Sequence, residues 1–154
     1  MSDNSMNVAA SELKVANIVV DEFHFKNGTH YSESVFSNGF SHIEYDDASE
    51  QWVGIVGFQL RTGIDENAEN ERLHQIVVKM HGTYSLHGKK TPEEKDSFQL
   101  LLRTTGAFNV LAAMRSIILA TTSTLGSMPG YITPFWNLKK YKWDDDPFEK
   151  KESE

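Results

Sequence analysis

The sequence contains no cysteine. Disulfide bonds, thiol catalysis and zinc sites with cysteine ligands are therefore excluded, and the absence is compatible with a reducing cytoplasm. Basic residues are also few, because 15 lysines and arginines stand against 22 acidic residues and give a net charge of −7. Since phosphate binding requires a basic surface, this balance argues against a nucleic-acid partner and favours basic or cationic ones.

Signals for membranes and secretion are lacking as well. No continuous apolar run of about 18 residues occurs, and the nearest candidate, residues 107–125, carries Arg115 and many hydroxyl groups. The polar, acidic N-terminal residues show no signal peptide. We therefore expect a cytoplasmic protein without membrane insertion. One domain is predicted over residues 12–142, between a disordered N-terminus (1–11) and an acidic disordered tail (143–154).

Motifs of catalytic and metal sites are missing. The sequence has no HExxH spacing, no GxSxG nucleophile elbow and no phosphate-binding glycine motif. His81 and His87 share one face of a predicted strand but lie about 20 Å apart along it. The acidic clusters fall in predicted loops and in the tail, where solvation explains them. An enzyme would need tertiary contacts between such groups, and we expect no catalytic residue, no metal and no cofactor.

The first half of the chain has the patterns of β-strands. Residues rich in β-branched and aromatic side chains alternate with turn signals, which predicts four strands: Leu13–Phe25, Phe36–Tyr45, Trp52–Ile64 and Arg72–Leu86. Strict alternation in the third and fourth strands predicts one apolar face on each. The first strand is apolar at both parities near its middle, which predicts that both of its faces are covered.

The second half changes to a helical period. Thr91 followed by Pro92 and Glu94 is a start signal, with a hydroxyl cap, a proline in the first turn and a glutamate at the third position. Gly106 is predicted to end this helix, and a longer one runs from about Phe108 to Leu125. Its apolar positions cover more than one stripe, so we expect contacts on two sides. Strands followed by helices predict an α+β domain, with a four-stranded antiparallel sheet packed against two helices.

Aromatic residues supply the best candidates for a binding site. Tyr131, Phe135 and Trp136 follow two turn signals and are predicted on a loop beside the long helix. Such a loop and helix together favour a groove for apolar segments of a partner. Four further aromatic residues fit either the core or the same client-binding surface: Phe23, Phe25, Phe36 and Phe40.

The order of these segments resembles the SecB family of protein-export chaperones. Four segments carry the resemblance: VANIVVDEFHF (15–25), the acidic HIEYDDAS (42–49), LHQIVVKMHGTYSLHG (73–88) and the long-helix segment with its turns (109–138). Within them the family pattern falls on Gly82, Tyr84, Ser85, Leu86, Asn109, Leu111, Gly126, Pro129, Pro134 and Asn137. The resemblance covers nearly all of residues 13–138, and it rests on the order and spacing of segments that are each short.

The resemblance implies ATP-independent holding of unfolded or precursor polypeptides along apolar grooves, in the service of protein export. It also implies a homotetramer, a dimer of dimers in which the long helices are sandwiched. The helix residues expected at that interface are Val110, Met114, Ile117, Ile118, Thr121 and Thr122.

Two departures from the family bear on its motor partner, SecA. Members that deliver clients to SecA use acidic residues on the sheet face and a C-terminal helix. Glu22 keeps one acidic position, whereas Lys26 and Val77 stand at two others, and no helical pattern follows Leu138. The alternative interpretation is a dedicated partner of one specific protein, such as an antitoxin-type client, without a general export role.

Overall fold

The computed structural model describes residues 13–63, 73–124, 130 and 141–144 of the chain. The predicted disordered N-terminus, most of the predicted tail and the strand ends at Ile64 and Arg72 lie outside these residues. Four strands pair antiparallel in the order β1-β4-β3-β2: β1 (Lys14–Lys26), β2 (Val35–Asp46), β3 (Gln51–Thr62) and β4 (Gln75–His87). Helix α1 (Pro92–Leu101), a π-helical segment (Leu102–Gly106) and helix α2 (Ala107–Thr124) follow. The α+β fold predicted from the sequence is confirmed.

The core lies between the helices and one face of β3 and β4. Even-numbered residues of β3 pair with even-numbered residues of β4, so their side chains share one face of the sheet. This is the face that packs against the helices. Gly54 permits the close approach of α1, since a Cβ atom there would lie 2.8 Å from both Phe98 and Leu102. The predicted apolar faces are confirmed, and their fully buried members include Val56, Phe58, Leu60, Ile76, Val78 and Tyr84.

Strand β1 is not covered on both faces, so that prediction is wrong. Its pairing with β4 shifts register between Val15 and Asn17 and again between Val20 and Glu22. Each shift reverses the parity of the side chains, so apolar residues at odd and even positions reach the same face. That face is the one that carries the helices, but α2 packs on β3 and β4. The exposed apolar residues of β1 are Val15, Ile18 and Val20.

The helical run continues through Gly106, where the sequence predicted a stop. The Ala107 N–H donates a hydrogen bond to the Leu102 carbonyl, five residues earlier, and this spacing defines a π-helical turn. The Tyr84 hydroxyl donates to the Gly106 carbonyl at 2.9 Å, and a Cβ atom on Gly106 would lie 3.2 Å from the Tyr84 ring. The glycine therefore allows the helix to pack on β4 and does not terminate it.

The start of α1 agrees with the sequence signal. The Thr91 hydroxyl accepts from the Glu94 N–H at 3.2 Å, and a proline occupies the first turn. The preceding connection is held by two ring donors: the Trp52 indole donates to the Lys89 carbonyl and the Tyr45 hydroxyl donates to the Gly88 carbonyl. Within the described ranges, no helix has the length and apolarity that a membrane span requires.

Candidate functional site

A shallow groove runs along the helix-side face of β2, the strand at one edge of the sheet. The middle of β2 carries small residues on this face, namely Ser37, Gly39 and Ser41, and Gly39 lies opposite Phe58 of β3. Small side chains leave room for other side chains to pack on the ring of Phe58 from the β2 side, and the ring is fully buried. Together with Arg103 of the π-helical segment, these residues form the surface that we call the β2 groove.

Residues 141–144 lie in the β2 groove. The rings of Tyr141 and Trp143 pack on Phe58, with centroids 5.7 and 5.4 Å away, and contact each other at 5.3 Å. Lys142 and Asp144 are exposed. This alternation of contact and exposure is that of an extended segment with one buried face. Trp143 and Asp144 therefore belong to the packed structure, although the sequence assigned them to a disordered tail.

The backbone of this segment is bonded to the sheet edge. The Asp144 N–H donates to the Gly39 carbonyl at 2.8 Å, which uses one of the backbone groups that an edge strand presents outward. The hydroxyl groups of Tyr141 and Ser37 are 3.1 Å apart, and burial raises the pKa of the Tyr141 phenol. A Cβ atom at Gly39 would lie 2.7 Å from the Tyr141 ring, so this close contact requires glycine.

Arg103 forms the helical wall of the groove. Its Nε donates to the Ser41 hydroxyl at 3.0 Å, which ties the π-helical segment to the edge strand. Its guanidinium carbon lies 5.2 Å from the centroid of the Trp143 ring. A cation at this distance stabilises an aromatic ring through the ring quadrupole. The groove therefore combines an apolar floor, a cationic wall and a backbone acceptor, the Gly39 carbonyl.

The predicted client-binding aromatics do not form one surface. Phe23 and Phe25 lie on the helix side of β1, half-buried against the core. Phe36 and Phe40 lie on the opposite, open face of β2, where Phe36 is exposed. The Phe40 ring lies over Gly57 and beneath the ammonium group of Lys79. Tyr131, Phe135 and Trp136 lie outside the described residues.

Helix α2 has two apolar stripes, and this corrects the predicted interface. Four of the predicted residues are fully buried within the single chain, so their side chains are not available to a second copy: Val110, Met114, Ile118 and Thr122. Ile117 and Thr121 are half-buried. The stripe that remains exposed contains Phe108, Ala112 and Leu119, which share a face of the helix by their spacing. The sequence indicated two-sided contacts but could not say which stripe faced the sheet.

His74 holds the β1–β2 connection against the start of β4. The Gly28 N–H donates to His74 Nδ1 at 2.8 Å, and the His74 N–H donates to the His30 carbonyl at 2.9 Å. The ring contacts Phe25 and Tyr31, with centroids 6.0 and 4.4 Å away. His74 is therefore buried, whereas the sequence suggested solvent-facing strand histidines. Burial, and secondarily the charge of His30, lowers the pKa of His74.

We expect the free energy of unfolding to fall as the pH drops through about 6.5, the ordinary histidine pKa. A histidine whose pKa is lowered by folding binds fewer protons in the folded chain, so protonation favours the unfolded chain. The Gly28 N–H also loses its acceptor when Nδ1 is protonated. Urea unfolding between pH 8 and pH 5 measures the effect (roughly the range in which histidine titrates). His74→Gln should flatten this part of the profile, whereas the exposed His87→Gln should leave it unchanged.

Solved structures with the same arrangement of strands and helices establish the fold type. The SecB-like chaperone Rv1957 of Mycobacterium tuberculosis, in complex with a ChAD peptide from the HigA1 antitoxin Rv1956, superposes with a TM-score of 0.53 at 14% identity. The match covers 88% of this chain and 95% of that one. The chain has the SecB-like fold. A Streptococcus agalactiae protein of unknown function is also similar, with a TM-score of 0.52, 14% identity, and coverage of 80% and 98%. No protein-family model and no curated protein matches the sequence.

On this SecB-like fold, Glu22 lies on the open face of β1, opposite Lys79 of β4. Lys26 lies further along the same strand and face, and Val77 is buried there. The open face around Glu22 therefore carries Lys79 and Lys26, whereas the resemblance implies an acidic docking surface for SecA. In the described part of the chain, no group of three or more histidine and acidic side chains is placed to hold a metal ion.

Sequence reasoning missed four residues of this site: Phe58 and Arg103 of the β2 groove, and Tyr141 and Trp143, which lie in it. Phe58 was correctly assigned to the apolar face of β3, but nothing in the alternation says that Tyr141 and Trp143 also cover its ring. The Tyr-Lys-Trp sequence does carry a signal, since two aromatic residues flank a polar one at strand spacing. The adjacent acidic run obscured that signal by suggesting disorder.

Proposed function

We propose that this protein is an ATP-independent chaperone that holds non-native polypeptide chains in apolar grooves. One observation carries the proposal: on a SecB-like fold, the β2 groove binds an extended segment through a backbone hydrogen bond and two aromatic side chains. The M. tuberculosis neighbour with this fold is described in complex with a peptide. Both observations support a site for extended polypeptide and a role in binding rather than catalysis.

The groove chemistry selects unfolded chains for a physical reason. Addition to an edge strand uses the backbone, which every polypeptide carries, while pockets for alternate side chains supply preference. A folded protein has already paired its backbone and buried its aromatic residues, so it offers neither group. By mass action, a protein that binds only non-native chains withdraws them from folding and aggregation.

We extend the proposal to precursor chains destined for export, which the resemblance to SecB implies for a cytoplasmic protein. The open face supports holding more than delivery to SecA, because Lys79 and Lys26 lie on the same face as Glu22. We also propose that clients contact Tyr131, Phe135 and Trp136, and, separately from the β2 groove, Phe23 and Phe25 on the helix side of β1. Phe36 and Phe40, on the open face, would contact clients that wrap around the edge of β2.

A second candidate is a dedicated partner of one specific protein. The observation that favours it is the peptide in the M. tuberculosis neighbour, which derives from an antitoxin. A narrow client would use the same groove, but its affinity would depend on one sequence.

The test is light scattering during dilution of a denatured enzyme into a stoichiometric amount of the protein. We expect aggregation to be suppressed for several unrelated enzymes. If none is protected, the general chaperone function is refuted. If a single protein co-purifies from the native cell and no denatured chain binds, the dedicated-partner function replaces it.

We propose that the assembly is a homotetramer, in which the exposed stripe of α2 supplies a contact. Phe108 is 63% exposed in the single chain, and large exposed apolar patches mark interfaces. Substituting Phe108→Asp is expected to lower the solution mass from four times the 17.5 kDa chain mass to a smaller assembly. Multi-angle light scattering measures this, and Leu100→Asp, on an exposed site of α1, is the control. An unchanged mass for Phe108→Asp would remove this stripe from the interface.

A further inference from the structure

We propose that residues Tyr141–Asp144 are an internal pseudo-client, which occupies the β2 groove and must leave it before a client binds. This inference rests on the proposed function, because it assigns the same groove to clients. The segment belongs to the chain itself, yet it is bound by the edge of β2 as an added strand would be. The groove is therefore occupied in the free protein.

The bonds that hold this segment are few enough to be displaced. Among the described residues, one backbone hydrogen bond joins Asp144 to Gly39 and one hydroxyl contact joins Tyr141 to Ser37. The two rings lie on Phe58, and the Arg103 guanidinium lies over the Trp143 ring. The side chains of Lys142 and Asp144 are exposed. Every one of these contacts could be replaced by an incoming extended chain that carries the same groups.

The pseudo-client also indicates the chemistry of the client. Two aromatic side chains are separated by one residue that points to solvent, so the residue between them is free to vary. The guanidinium of Arg103 favours an aromatic ring at the second position. A backbone N–H must follow this second ring to bond the Gly39 carbonyl. The client segment is therefore aromatic-x-aromatic, extended, and followed by a residue other than proline.

When residues Tyr141–Asp144 occupy the β2 groove of their own chain, the apparent affinity of the groove for clients falls. When the binding-competent state has a population f, the measured dissociation constant rises by a factor 1/f. A groove that is open about one tenth of the time binds clients about tenfold more weakly than an open groove. The segment thus sets a threshold that excludes chains without a matching aromatic pair.

The experiment uses the full-length protein and a fluorescein-labelled peptide, LKKYKWDDD, which copies residues 138–146. Fluorescence anisotropy should show that the double variant Tyr141→Ala with Trp143→Ala binds this peptide about tenfold more tightly than the unsubstituted protein. Lys142→Ala, within the same segment but facing solvent, should match the unsubstituted protein. A peptide with alanine at both aromatic positions should not bind.

A second variant keeps the test decisive if the double variant is destabilised. Asp144→Pro removes the N–H that bonds Gly39 and retains both rings, so peptide affinity should rise with the core intact. Equal peptide affinity for the unsubstituted protein and Asp144→Pro would overturn the inference.

Light scattering separates this inference from the proposed function. If the unsubstituted protein and the double variant suppress aggregation equally well, the pseudo-client is wrong and the chaperone function stands. If neither protects any denatured enzyme, the chaperone function itself is wrong.

Discussion

Replacing Phe98 by alanine is expected to lower the free energy of unfolding by about 3 to 5 kcal/mol, the usual cost of truncating a buried phenylalanine. The ring is fully buried where α1 meets the sheet. It packs so closely on Gly54 that a Cβ atom there would lie 2.8 Å from it. Because the floor beneath the ring is backbone, few side chains can move into the cavity, and the cost should lie high in this range. Urea unfolding followed by circular dichroism measures the change.

The matched control is Leu100→Ala on the same helix. Leu100 is 66% exposed, so its truncation should change the free energy of unfolding by less than about 0.5 kcal/mol. Similar losses for the two variants would mean that the effect comes from helix propensity or the unfolded chain rather than from packing on Gly54. That result would contradict the role of α1 as the element that closes the core over β3.

Substituting Gly39→Val is expected to weaken the binding of unfolded chains by tenfold or more while the fold is retained. A Cβ atom at this position would lie 2.7 Å from Tyr141, 3.0 Å from Phe58 and 3.1 Å from Trp143. The added methyl groups would occupy the volume that an aromatic side chain needs. Loss of one buried aromatic contact costs about 1.5 to 3 kcal/mol, and 1.4 kcal/mol corresponds to tenfold in affinity. Anisotropy with labelled, unfolded α-lactalbumin measures it.

Asn38→Val is the matched control, because it adds an equally bulky β-branched side chain to the same strand on the opposite face. Valine suits an edge strand at either position, so both variants should remain folded. If Asn38→Val weakens binding as much as Gly39→Val does, clients bind on the open face of the sheet. Unchanged binding for Gly39→Val would exclude the β2 groove as the client site.

Much of the fold could be predicted because some patterns depend on neighbours in the chain alone. The alternation along β3 and β4 follows from the two-residue period of a strand, and it identified the core face correctly. The cap at Thr91 is a contact between residues three positions apart, so it too could be predicted. A resemblance in the order of segments then indicated the SecB-like fold that solved structures share.

The sequence-based predictions were wrong where the outcome depends on a contact with a residue far away in the chain. Gly106 looks like a helix stop, but Tyr84 packs against it and accommodates a π-helical turn. The apolar positions of β1 look two-sided, but two register shifts against β4 bring most of them, from Val15 to Phe25, to one face. Both outcomes depend on the partner strand, which a local pattern does not contain.

The sequence by itself determined the element types, the core faces of β3 and β4, and the lack of a recognisable catalytic motif. Only the tertiary structure decided which stripe of α2 stays exposed, and that Trp143, predicted in a disordered tail, packs with Tyr141 on Phe58. The physical reason is that local periodicity specifies which side chains share a face, whereas burial depends on what another segment places against that face. The β2 groove exists because residues 39, 58 and 103, far apart in the chain, meet at one edge of the sheet, where residues 141–144 occupy it.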